Sequence, residues 1–132
     1  MILVLDVFGV VYQSGGLNDP LIDWVQTLRN TQDIKVVLAS NMARAQANHF
    51  LHDMGLEDKF DDLFCSGAIG HAKPDRRFYN HVTGALGVPP QMILFFDDSG
   101  RNVTGAQAFG WRAYLYESVG QVKEIFAAEH AA

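Results

Sequence analysis

The chain has 132 residues, 48% hydrophobic and 19% charged, which suits one domain of ordinary size, is too short for two, and carries no signature of disorder. A formal charge of −5 with scattered Lys and Arg argues against binding a nucleic-acid backbone, which needs clustered basic residues. One cysteine, Cys65, excludes an internal disulfide, and the apolar opening lacks a basic flank and is broken by Asp6, so the expectation is a cytoplasmic protein with no leader and no membrane span.

Ile2 to Leu5 is an unbroken aliphatic run ending at a carboxylate, as a strand buried on both faces reads. Residues 7–17 are punctuated by glycine and close in Ser14-Gly15-Gly16, a loop or hairpin. Asp19-Pro20 offers an N-cap with proline at the first helical position, followed by Leu21, Trp24, Val25 and Leu28 at helical spacing. Ile34 to Ala39 is a second buried strand. A helix from about Ala43 to Met54 carries Ala47, Phe50, Leu51 and Met54 on one face and closes at Gly55.

Phe60 to Cys65 holds a short third strand, in which Cys65 reads as a small buried hydrophobe. Pro74-Asp75 opens a helix whose Phe78, Val82 and Leu86 recur every four residues before Gly87. Met92 to Phe96 is a fourth strand, Ser99 to Phe109 a helix, Arg112 to Tyr116 a fifth strand and Val119 to Ala128 a last helix. No linker, repeat or low-complexity tract divides residues 1–132, so one domain is expected. The alternation predicts a three-layer α/β, Rossmann-like fold, a mostly parallel sheet with helices on both faces. Ligands of such sheets bind beyond the carboxyl ends of the central strands.

The polar residues fall at those ends: Asp6 after the first strand, Ser40 and Asn41 after the second, Lys73 after the third, Asp97 and Asp98 after the fourth. Taken singly they have ordinary explanations, since Asn41 and Ser99 suit turns and caps and Lys73 suits a solvated surface. Adjacent carboxylates beside an apolar strand are harder to dismiss, because they repel unless a cation or hydrogen-bond donors offset them. Together the set has a chemical logic. A carboxylate can act as nucleophile toward a phosphoryl group or an activated carbon. A lysine and a hard cation held by carboxylates supply the positive charge that phosphoryl transfer requires.

Asp6, then Ser40, then Lys73-Pro74, then Asp97-Asp98, each after its strand, resembles the four motifs of the haloacid dehalogenase-like (HAD) superfamily. The likeness covers about residues 1 to 116. It is most specific from Gly70 to Tyr116, through Lys73-Pro74-Asp75, Phe95-Phe96-Asp97-Asp98-Ser99, Asn102-Val103, Gly105-Ala106 and Phe109-Gly110-Trp111. The resemblance implies Asp6 as nucleophile and magnesium ligand, Ser40, Asn41 and Lys73 as phosphoryl-binding groups, and Asp98 as direct metal ligand. Asp97 would support the metal directly or through water, and the backbone carbonyl of Phe8 would complete its shell. A phosphorylated substrate, small or macromolecular, follows.

Phe8 departs from the family pattern, in which phosphatases carry a second Asp two residues after the nucleophile as acid and base; phenylalanine does neither. Three readings stand. One is a magnesium-dependent phosphohydrolase or phosphotransferase with weak or specialised activity. A second is a 2-haloacid dehalogenase, whose motif Asp6-Val7-Phe8-Gly9 matches, although the Asp97-Asp98 pair speaks against that metal-free chemistry. The third is a degenerate domain kept as a binding module. The 33 residues between Asp6 and Ser40 are filled by the loop and first helix, and residues 42–72 by a helix and strand, so no cap domain is expected. An uncapped site encloses small metabolites poorly, and another subunit of a homo-oligomer would supply a lid. Tyr12 and Trp24 are candidates for that interface, with core packing the competing fate of Trp24. Receiver domains are set aside because their acidic pair precedes rather than follows the lysine. A zinc site at His49 and His52 lacks a third ligand.

Overall fold

The computed structural model describes residues 1–131, leaving position 132 of the expected domain outside the described residues. Five strands, β1 (Ile2–Leu5), β4 (Lys35–Ser40), β5 (Asp62–Cys65), β6 (Ile93–Asp97) and β7 (Arg112–Leu115), form a sheet ordered β5-β4-β1-β6-β7. Every pairing is parallel. A two-stranded hairpin, β2 (Tyr12–Gln13) and β3 (Gly16–Leu17), stands apart from it. The helices are α1 (Asp19–Gln32), α2 (Arg44–Asp53), α3 (Ser66–Ile69), α4 (Arg76–Leu86), α5 (Gly100–Phe109) and α6 (Val119–Ala131).

Side chains of a strand alternate between faces, and the aliphatic runs use both. Leu3, Leu5, Val36, Leu38, Leu94 and Phe96 pack with Val25 and Leu28 of α1, Phe50 of α2 and Phe126 of α6. Ile2, Val4, Val37, Ala39, Ile93 and Phe95 pack with Phe78, Tyr79 and Val82 of α4 and Ala106 of α5. The expected three-layer α/β architecture is therefore present, with no cap domain among the described residues. The chain leaves β1 toward β4 and β5, then returns across to β6 and β7. The order thus reverses at β1, whose carboxyl end lies between those of its two neighbours.

Several local expectations need correction. Asp19 is the first helical residue rather than the cap; Asn18 holds the cap position and makes no capping bond. Its buried amide instead donates to the Val10 carbonyl and the Tyr116 hydroxyl, both at 3.0 Å. Tying the loop after β1 to the end of β7 takes precedence over capping. Met54 is the C-cap of α2, one residue past its end, and is exposed rather than part of its buried face. Met92 belongs to a 3-10 turn, Pro90–Met92, rather than to β6. The short helix α3 had no periodicity to announce it, and α6 runs past Ala128. Trp24 packs edge-on against Phe126 at 5.6 Å. No helix among the described residues is long and apolar enough to cross a membrane.

Candidate active site

Three strand ends and one loop deliver the central polar groups. Asp6 follows β1, and its N–H donates to the Phe96 carbonyl at 3.0 Å, so the nucleophile candidate is still held by the sheet ladder. Asp97 closes β6 and is fully buried. Ser40 closes β4 at 1% exposure. Lys73 arrives from the loop before α4 and is buried to 4% exposure. Burial of a lysine requires partners, and Lys73 has three: its Nζ donates to Asp6 Oδ1, Asp97 Oδ2 and the Ala39 carbonyl, each at 2.8 Å.

The loop that carries Lys73 is fixed by Asn41. The Asn41 Oδ1 accepts from the Lys73 N–H and its Nδ2 donates to the Lys73 carbonyl, both at 2.9 Å. Asn41 thus spends its amide on the lysine's backbone. Asp97 is held as firmly, accepting from the Ser99 N–H at 2.9 Å on Oδ1 and from the Asn102 amide at 3.1 Å on Oδ2. Ser99 caps α5 through its hydroxyl. The role of Asn102 was missed in the sequence reading. Its signal is its position in the first turn of α5, directly beyond the buried strand end.

Asp98 is the exception. It is exposed, and it makes no ion pair or side-chain hydrogen bond among the described residues. Carboxylate oxygens of Asp6, Asp97 and Asp98 nevertheless lie within 4.8 Å of one another. Gly9 explains how Asp98 comes so close to the loop after β1. A Cβ at Gly9 would stand 1.9 Å from Asp98 Oδ2, and the residue's φ of +90° also favours glycine.

Three carboxylates face one ammonium, which leaves a formal surplus of two negative charges. Within this cluster the Asp6 pKa is pushed up to about 7. Burial is the main cause; Lys73 pulls the value down and the neighbouring Asp97 charge pushes it up. Hard oxygen donors with a surplus of two negative charges fit a divalent cation such as magnesium.

The side chain of Phe8 is 41% exposed at the mouth of the site. Its ring centroid lies 6.0 Å from that of Tyr12 and 6.2 Å from that of the buried Phe50.

A parallel sheet with clustered carboxylates and a buried lysine at its switch point defines an α/β protein with an acidic strand-end centre. The chain belongs to the haloacid dehalogenase-like hydrolases, whose family model matches residues 2–110. A phosphatase of Mycobacterium tuberculosis is 41% identical over 88 residues, a match spanning 67% of this chain and 41% of that protein. An (S)-2-haloacid dehalogenase of Pseudomonas sp. (strain YL) is 31% identical over 91 residues, covering 69% of this chain and 39% of its own. This chain therefore spans about two fifths of the length of those relatives. Among solved structures, a protein from Corynebacterium glutamicum superposes with a TM-score of 0.74 at 25% identity, covering 97% of this chain and 93% of that one. A HAD family enzyme from Bacteroides thetaiotaomicron, solved with magnesium and inorganic phosphate, has a TM-score of 0.66 at 25% identity, over 76% of this chain and 53% of that one.

Proposed function

We propose that this HAD-like hydrolase is a magnesium-dependent phosphohydrolase or phosphotransferase, a single HAD-like domain that works through Asp6. The observation that carries the reading is the Lys73 ammonium at 2.8 Å from both Asp6 and Asp97, with Asp98 beside them and otherwise uncommitted. Asp6, Asp98 and the Phe8 carbonyl would hold the metal. Asp97, both of whose oxygens already accept hydrogen bonds, would support it directly or through water. Magnesium, when bound, would offset the charge of the transferring phosphoryl oxygens.

The protein's own groups do the rest. A carboxylate oxygen of Asp6 attacks phosphorus, and Lys73 holds that carboxylate in place and favours its ionised form against the effect of burial. Lys73 and the Ser40 hydroxyl bind phosphoryl oxygens as the leaving group departs. Water then cleaves the aspartyl-phosphate, or a second acceptor takes the phosphoryl group. The M. tuberculosis relative, named a phosphatase, and the magnesium and phosphate bound by the B. thetaiotaomicron enzyme support a phosphorylated substrate. A single buried thiol agrees with a cytoplasmic setting, and a second subunit acting as lid agrees with the uncapped site.

Acid quench of a reaction with radiolabelled acetyl phosphate should trap label on the wild-type chain and none on Asp6→Asn. Full turnover by Asp6→Asn would overturn the reading. A second reading has a specific observation in its favour: Phe8 cannot donate a proton, and halide departure needs none. The dehalogenase relative agrees with it. Release of halide from 2-haloacids in the presence of a chelator, without phosphatase activity, would establish that reading instead. Absence of both activities would leave the degenerate binding module.

A further inference from the structure

Beside the carboxylates runs an open groove of about 560 Å³, lined by Phe8, Gly9, Tyr12, Gln13 and Ser14. It adjoins the centre at Gly9, which lines the groove and lies against the Asp98 carboxylate. A group attached to a phosphoryl anchored at Asp6 would leave across this surface. The lip of the groove is aromatic. Phe8 and Tyr12 meet edge to face at 6.0 Å, and both lean on Phe50, which is buried in the core. The exposed ring of Phe8 is thus a supported surface rather than a loose side chain.

No carboxyl or imidazole acid lines the groove, whose only hydroxyls are those of Tyr12 and Ser14. Residues 7–11 are Val, Phe, Gly, Val and Val. The ionisable groups of the centre are committed to one another or to the cation that would balance them. An alkoxide leaving group would therefore depart without a proton, whereas an aryl oxide delocalises its charge into the ring and leaves as the anion. Apolar contact and departure without an acid point to one chemical class.

We propose that Phe8 and Tyr12 form the leaving-group subsite of this centre and select phosphate monoesters of aromatic hydroxyls. The proposal rests on the phosphoryl-transfer reading above. In the step it describes, Asp6 forms a bond to phosphorus and the phosphorus–oxygen bond to the aryl group breaks. The electron pair leaves on the aryl oxide, which takes its proton from water in the open groove. Water then attacks phosphorus, the bond to Asp6 breaks, and inorganic phosphate is released.

The test measures binding of non-hydrolysable probes by calorimetry in magnesium buffer: methylphosphonate and 1-naphthylmethylphosphonate, against wild type, Phe8→Ala and Phe8→Leu. The naphthyl probe should bind on the order of tenfold tighter than the methyl probe to the wild type, as expected for part of a ring taken out of water. That ratio should fall toward one in Phe8→Ala and be reduced in Phe8→Leu, which keeps apolar volume without the ring. Equal wild-type affinity for the two probes would overturn the aromatic subsite while leaving the phosphoryl site standing. Failure of the wild type to bind either probe would overturn both readings. The wild-type comparison needs no variant, so it decides the matter even if Phe8→Ala does not fold.

Discussion

Replacing Lys73 by methionine tests the charge balance at the centre of the fold. The lysine side chain is 1% exposed and holds carboxylates whose side chains are 10% (Asp6) and 0% (Asp97) exposed. Methionine matches the length of the stem but leaves both carboxylates, and the Ala39 carbonyl, without their shared donor. Removing one partner of a buried ion pair costs about 3–5 kcal/mol, equivalent to a drop in Tm of roughly 10–20 °C for a domain of this size. Asp6 already titrates above its unfolded value, mainly through burial. Its contribution to stability is thus present below the unfolded value of 3.8 and lost as pH rises through about 7. Without Lys73 the opposing attraction disappears, so the deficit of the variant should be largest near pH 8 and shrink as pH falls toward 4. Urea unfolding of both proteins in metal-free buffer at those two pH values measures it. Adding Asp97→Asn should recover part of the loss, because one of the two repelling charges is gone. A deficit under about 1 kcal/mol at pH 8, or one independent of pH, would refute the reasoning.

Three further outcomes follow from named contacts. Gly9→Ala should cost about 1–2 kcal/mol for its positive φ alone and should weaken magnesium binding by displacing Asp98; calorimetry showing unchanged affinity would separate Asp98 from the metal. Asp98→Ala should weaken magnesium binding at least as much while leaving Tm within a few degrees of wild type in chelator, since the side chain is exposed and unpartnered; equal affinity in both proteins would remove the metal-site hypothesis. Phe8→Asp should speed hydrolysis of an alkyl phosphate by about 10²–10⁴-fold, the usual worth of a general acid, and that of an acyl phosphate much less. Equal gains on the two substrates would show that a missing acid does not limit this site.

The order and type of the main elements were legible in the chain because unbroken apolar runs such as Ile2–Leu5 and Ile93–Phe96, alternating with helical patterns, are what a parallel sheet covered on both faces requires. The resemblance of Asp6, Ser40, Lys73 and Asp97-Asp98 to one family lay in their order after successive strands, which is a linear property. What needed the tertiary structure was how those residues divide the work. Nothing local distinguishes Asp97 from Asp98, yet the register of β6 buries the first under Lys73, Asn102 and the Ser99 N–H and leaves the second facing the loop after β1. Asn41 follows Ser40 in the chain, and only the fold shows that its amide holds the backbone of Lys73, 32 residues away. Asn18 sits where a cap is wanted and instead donates to the Val10 carbonyl and to the hydroxyl of Tyr116, 98 residues further along. Hydrophobic period and residue order are written along the chain, whereas the choice of hydrogen-bond partner for a polar group depends on which strand ends the sheet sets side by side.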